Sequence, residues 1–206
     1  MQLVAGIFVG GRARRMGGAP KGLLTIDGEP IVVKTRRLLE EVGAECVLVG
    51  AHPAYEGLGL ETIPDDPAAE GPLAGLLALL ARASSSNAPS RSGTIGRRWA
   101  IAVACDMPFI DRELIRRLVD APPAPVVAPR RRAEDRGRDV WEPLFARYDP
   151  AVLDIARDLA RRGSRRLQML LDAAGARPLE LEPEHEALLT DWDTLPLAHA
   201  RATTKP

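Results

Sequence analysis

The sequence predicts an α/β fold with a mostly parallel sheet covered by helices on both faces. Three observations predict it: short, continuously apolar runs recur along the chain, helix-period segments separate them, and turn residues mark the junctions. Leu3–Val9 is the first apolar run, ended by Gly10-Gly11. A glycine-rich loop then leads to Lys21, Leu23–Ile26 reads as a short strand, and Asp27-Gly28 as a turn. Pro30 suits the first turn of a helix reaching about Glu41, with Gly43 as its stop. Cys46–Val49 is a second buried strand and Leu60–Ile63 a weaker third, closed by Pro64-Asp65-Asp66-Pro67. Over Gly71–Ala83, Leu73, Leu76, Leu77 and Leu80 give the 3–4 spacing of a helix.

Residues 84–97 are polar and turn-rich, which predicts a mobile surface loop. Trp99–Ala104 is a buried strand ending in Cys105-Asp106-Met107-Pro108, and Asp111 is placed to cap a helix over Arg112–Val119. Pro125–Pro129 is strand-like. The arginine-rich stretch 130–138 interrupts the alternation and reads as a solvated loop. Leu144–Tyr148 is apolar enough for core, and helices are expected over Ala151–Arg161 and Arg165–Ala174. Pro178–Leu181 and Leu188–Thr190 follow. No repeat is present, so one domain is expected over residues 1–200, with 201–206 as a frayed tail.

Composition narrows the functional classes. The 206 residues are 46% hydrophobic and 27% charged, enough for a real core and too apolar for a wholly disordered chain. A net charge of +0 gives no support to a nucleic-acid or membrane-surface binder. The N-terminal apolar run is too short for a signal peptide or a membrane span, which predicts a cytoplasmic protein. Cys46 and Cys105 cannot form a disulfide framework and read as buried free thiols. The basic residues are uneven: 25 arginines but only three lysines, Lys21, Lys34 and Lys205. A lysine kept inside a glycine-rich loop suggests a site needing a compact point charge rather than a fork of donors.

That loop runs from Gly10 to Gly22 and follows the first strand, at the carboxyl end of the sheet, where ligands bind in this class. Its glycines would let backbone N–H groups surround phosphate oxygens, and its arginines and lysine would neutralise them. It fits neither a dinucleotide fingerprint nor a Walker A loop: the glycine spacing is wrong, and Pro20 and Gly22 flank the lysine.

The string Val9-Gly10-Gly11-Arg12-Ala13-Arg14-Arg15-Met16-Gly17, with Lys21, resembles the LAGGxSxRMGxxK signature of sugar-type nucleotidyltransferases. It is most similar to the molybdenum cofactor guanylyltransferase (MobA) family, within the MobA-like NTP transferases. The resemblance implies a three-layer α/β/α fold with a Rossmann-like sheet of the nucleotidyltransferase (GT-A-like) type. It implies that Val9, Gly10, Gly11, Arg15, Gly17 and Lys21 wrap and hold a nucleotide triphosphate, with Arg15 and Lys21 catalytic. Gly71-Pro72-Leu73-Ala74-Gly75 resembles the GPLAG string of the guanylyltransferase branch, placing Gly71, Pro72 and Leu73 at the nucleotide. Asp65 or Asp66 matches the acidic position near the guanine, and a carboxylate accepting from base N–H groups is a sensible guanine selector. Gly50 stands where several members carry a nucleotide-recognising Asn.

Cys105-Asp106-Met107-Pro108 resembles the family's CDxP segment, which makes Asp106 a catalytic ligand of Mg2+. Asp191-Trp192-Asp193-Thr194 resembles its terminal DxDTPE segment, so Asp191 or Asp193 is a second metal ligand, although Leu195-Pro196 replaces the usual Pro-Glu. Trp141–Tyr148 resembles the (H/Q)PLFALY segment, with Glu142 for His or Gln and Arg147 for Leu; Gly163–Leu167 resembles GxRRL. For those latter arginines, contact with the pterin phosphate and a solvated helix start are equal alternatives. For 130–138, a lid over an anionic pterin is the alternative to a solvated loop. The activity implied is transfer of GMP from GTP to the phosphate of molybdopterin, with release of pyrophosphate. The protein would be a monomer, in transient contact with cofactor-insertion and acceptor enzymes. A cytidylyltransferase, another small-substrate nucleotidyltransferase, or an inactive nucleotide-binding module are the alternatives.

Overall fold

The computed structural model describes residues 1–9, 20–85, 98–133 and 138–190. The loop residues 10–19, the segment 86–97 and the Asp191 and Asp193 positions lie outside the described residues. Gly10, Gly11, Arg15 and Gly17 therefore lie outside them too.

In chain order the strands and helices are β1 (Gln2–Phe8), β2 (Thr25–Ile26), β3 (Glu29–Pro30), α1 (Ile31–Glu41), β4 (Ala44–Val49), β5 (Glu61–Ile63) and α2 (Pro72–Ser84). There follow β6 (Arg98–Ala104), α3 (Arg112–Asp120), β7 (Val126–Ala128), β8 (Arg130–Ala133), β9 (Arg138–Trp141) and β10 (Phe145–Tyr148). The described part ends with α4 (Val152–Arg161), α5 (Leu167–Ala173), β11 (Arg177–Pro178) and α6 (Pro183–Ala187). Single turns of 3-10 helix cover Lys21–Leu23 and Pro53–Tyr55.

Seven strands form one sheet in the order β11-β7-β10-β6-β1-β4-β5. Every neighbour pair is parallel except the two made by β10, which runs against β6 and β7. The period of two along each strand sends alternate side chains to opposite faces. From β1, Val4 and Phe8 join a core with α2, α4 and α5, while Leu3, Ala5 and Ile7 join a second core with α1 and α3. The result is the three-layer α/β/α sandwich expected from the sequence.

Local chemistry explains the boundaries. Asp27 and Gly28 both have positive φ (52° and 81°), the geometry of a two-residue hairpin turn linking β2 to β3. Gly43 closes α1 at φ 81°. The Asp111 carboxylate accepts from the Leu114 N–H at 2.8 Å and caps α3, as its position predicts.

Two expectations are corrected. The arginine-rich stretch is a β8–β9 hairpin rather than a loop, with Arg130 opposite Trp141. The arginines mask its alternation, but the Arg130 guanidinium lies 5.1 Å over the Trp141 ring and Arg131 pairs with Glu142. The helix expected from Arg165 begins at Leu167, leaving Arg165 and Arg166 in the preceding turn.

Arg147, in a run read as core, is itself buried. Its guanidinium donates to the Val119, Ala121 and Pro122 carbonyls, the last two at 2.8 and 2.9 Å, and stacks 4.9 Å over Trp99. It thereby serves the open carbonyl end of α3, where a cation is favoured. Burial lowers its pKa.

Candidate active site

The strand order sets the site. From β1 the chain passes through α1 to β4 on one side; later it returns through α2 to β6 on the other side of β1. Such a switch point opens a crevice at the carboxyl ends of the strands. Phe8, Val49 and Ala104 are paired at that edge, and the Cys105 N–H donates to the Phe8 carbonyl at 3.2 Å.

Two sequence-predicted residues meet there. Lys21 emerges from the β1 side and Asp106 from the end of β6, and Lys21 Nζ lies 3.4 Å from Asp106 Oδ2. The side chains are 20% and 25% exposed, so both remain within reach of a ligand. Lys34, which sequence reasoning passed over, donates from α1 to the Pro108 carbonyl at 2.8 Å. Both described lysines thus serve the short segment that carries Asp106. Their scarcity was the signal that could have found Lys34.

On the other side of the crevice, Gly71 sits at φ 64°, ψ −154°, a conformation that only glycine adopts without strain, and turns the chain into α2 with Pro72 at its start. Gly75 is a close-approach glycine: a methyl group there would lie 2.7 Å from Val49, 2.9 Å from Phe8 and 3.1 Å from the Asp65 carboxylate. The structure separates the two aspartates. Asp66 is used locally, its carboxylate accepting from the Ala68 N–H at 2.8 Å and its N–H donating to the Ala74 carbonyl at 3.1 Å. Asp65 keeps its carboxylate on the crevice side of Gly75, and burial raises its pKa.

Leu73 has its side chain in the core, so its contribution at the crevice is confined to backbone. Val9 is also buried and spends its N–H on the Val49 carbonyl at 3.0 Å. Gly50 has φ 89°; Asn is the residue that, after glycine, best tolerates positive φ, so the exchange preserves the backbone while removing an amide.

A model of the MobA-like NTP transferase domain matches residues 5–178. The chain belongs to that family. Relatives named molybdenum cofactor guanylyltransferase are 31% identical in Pseudomonas putida, over 84% of each chain, and 30% identical in Rhodobacter capsulatus, over 98% of this chain and 97% of the relative. The fold of this MobA-like domain is shared with molybdopterin-guanine dinucleotide biosynthesis protein A from Archaeoglobus fulgidus (TM-score 0.61, 22% identity, 87% and 84% coverage). It is also shared with 2-C-methyl-D-erythritol 4-phosphate cytidylyltransferase from Thermus thermophilus (TM-score 0.64, 22% identity, 98% of both chains). The family makes the MobA-like chain a nucleotidyltransferase. Among the described residues, no helix is long and apolar enough to cross a membrane.

The remaining resemblances fall around the rim of the MobA-like crevice. Trp141 is locked by a two-way amide contact with Gln168, 2.9 Å to its N–H and 2.7 Å to its carbonyl, and by an indole bond to Asp172 at 2.8 Å. Glu142 receives Arg131, so the departure from His or Gln is coupled to the β8–β9 hairpin. Arg165 pairs with Glu70 at 2.6 Å, just before the GPLAG turn. Sequence reasoning gave no partner within the chain for any of these.

Proposed function

We propose that this chain transfers GMP from GTP to the terminal phosphate of molybdopterin, releasing pyrophosphate. The observation that carries the reading is the meeting of Lys21 and Asp106 at the β1–β6 switch point, and the relatives' names support the substrates. An oxygen of the acceptor phosphate attacks the α-phosphorus of GTP, and the bond from that phosphorus to the α–β bridging oxygen breaks. A phosphate monoester is already an anionic nucleophile, so no strong base is required. The protein's work is alignment and charge stabilisation.

Lys21, with Arg15 from the loop, would hold the phosphates and stabilise the charge that develops on the departing pyrophosphate. Asp65 would accept from the guanine N–H groups, and Gly71 and Pro72 would border the nucleotide. The Asp106 carboxylate fits a Mg2+ ligand: it is partly exposed and beside the phosphate-directed lysine, and Mg2+ in nucleotide sites is held by one or two carboxylates plus phosphate oxygens. A carboxylate at Asp191 or Asp193 would be the second. When bound, the ion would polarise the α-phosphate and neutralise the leaving group. In this reading the protein works in the cytoplasm, as a monomer, with the product passed on to insertion and acceptor enzymes.

The test is pyrophosphate release with molybdopterin, Mg2+ and each of the four nucleotides in turn. Release with GTP alone is expected. Equal use of CTP would replace the guanylyl reading by a broader nucleotidyltransferase, and no release with any nucleotide would leave a binding module.

A further inference from the structure

We propose that Tyr55 is a positioning residue that aims Lys21 across the crevice through a buried hydrogen bond to the Gly22 N–H; this rests on the functional reading of Lys21 given above. Lysine carries its charge on a flexible four-carbon stem, so its direction has to be imposed by whatever fixes its backbone. The Lys21–Leu23 turn has only three residues and no side-chain cap. What grips it comes from the β4–β5 connection. The Gly22 N–H donates to the Tyr55 hydroxyl at 3.1 Å, and both groups are buried. Tyr55 therefore holds the residue that directly follows Lys21, whose Nζ makes the 3.4 Å pair with Asp106.

The fit around Gly22 is tight. A methyl group there would stand 3.0 Å from the Tyr55 hydroxyl and 3.1 Å from the Cys105 Cβ. The lysine turn is thus pressed onto the strand end that carries Asp106. Tyr55 is itself held from its own turn. His52 meets it edge-on at 5.5 Å between centroids, and the His52 Nδ1 accepts from the Ala54 N–H at 3.2 Å, fixing the turn that presents the tyrosine.

Tyr55→Phe keeps the ring and removes only the hydroxyl, and a double-mutant cycle with Lys21→Ala separates positioning from packing. With Lys21 present, Tyr55→Phe should lower kcat/KM for nucleotidyl transfer roughly tenfold. In the Lys21→Ala background it should lower it less than about twofold. Equal losses in both backgrounds would reduce Tyr55 to a packing residue and overturn the proposal. A second readout needs no turnover: exchange of the Gly22 amide should accelerate about tenfold or more in Tyr55→Phe, while the capped Leu114 amide is unchanged. Unaltered Gly22 exchange would overturn the proposal. If the wild-type protein releases no pyrophosphate with any nucleotide, the guanylyl reading fails by itself. The cycle is then run on binding of inorganic tripolyphosphate, where coupling between the two positions supports the proposal and additivity rejects it.

Discussion

The two ends of the central strands use the same kinds of charged residue to opposite effect. At the amino end of β6, Arg98 is 5% exposed and fully engaged: it donates to Glu45 at 2.6 Å and to the Arg82 carbonyl at 2.8 Å. Arg82, in the last turn of α2, reaches the same Glu45 at 2.7 Å and Glu61 at 2.8 Å. This network closes on itself and ties α2, β4, β5 and β6 together. At the carboxyl end, the Lys21–Asp106 pair is looser, more exposed and made by a point charge instead of a fork. Arginine suits the first task because it can satisfy several fixed acceptors at once; lysine suits the second because it can follow a moving phosphate charge. In a chain that uses arginine almost everywhere, two of the three lysines, Lys21 and Lys34, stand at this edge.

The largest effect that tests this contrast is expected from neutralising one carboxylate at the open end. Asp106→Asn should lower Mg2+-dependent pyrophosphate release by about a thousandfold or more, with thermal unfolding close to wild type. Arg98→Ala at the closed end should do the reverse, destabilising the fold by roughly 3 kcal/mol in denaturant titrations while specific activity of the folded fraction is retained. Near-wild-type turnover in Asp106→Asn would remove it as an essential ligand. The reciprocal exchange of cations is smaller and more discriminating. Lys21→Arg keeps the charge but misplaces it, and a loss of roughly 10–100-fold in kcat/KM is expected. Arg98→Lys should leave turnover intact and cost about 1–2 kcal/mol of stability, because one ammonium cannot hold both Glu45 and the Arg82 carbonyl. Equal tolerance of both exchanges would dissolve the distinction between the two ends.

How much of this was legible in the sequence follows the range of the forces involved. Apolar runs and their punctuation report burial directly, so β1, β4 and β6 and the helices α1, α2 and α3 stand where the pattern puts them. The GPLAG glycines and the Asp106 strand end were legible as motifs, and the fold explains their spacing. Long-range polar pairing leaves no periodic trace. Tyr55 carries no signal in the sequence, yet its hydroxyl accepts from the Gly22 N–H, 33 residues earlier along the chain. Arg147 read only as a departure from a leucine, and the open carbonyls of α3 that receive it are visible only once β10 is seated beside β6 and β7. The β8–β9 hairpin was hidden for the same reason: arginines at successive positions carry no alternation, and the Trp141 and Glu142 that hold them are read only in three dimensions.

Asp65 extends the comparison to a single carboxylate. Glu45, at the closed end, is matched by two guanidinium groups. Asp65, at the open end, has its pKa raised above the ordinary 3.8 by burial alone, with no cation among the causes offsetting it. The folded protein therefore binds this proton more readily than the unfolded chain does. The resulting penalty is absent below the unfolded-state pKa and fully present once the pH exceeds the folded-state value. Asp65→Asn should consequently melt no lower than wild type at pH 7, and any advantage should shrink as the pH falls through the carboxylate range. The same variant should lose preference for GTP over CTP by roughly 10–100-fold, because a charged acceptor for the guanine N–H groups has gone. Scanning calorimetry at several pH values, paired with competition between the two nucleotides, checks both halves. A carboxylate that weakens the fold yet sharpens base choice is a functional group held against a stability cost, whereas a lower melting point with unchanged preference would make Asp65 a structural residue like Glu45.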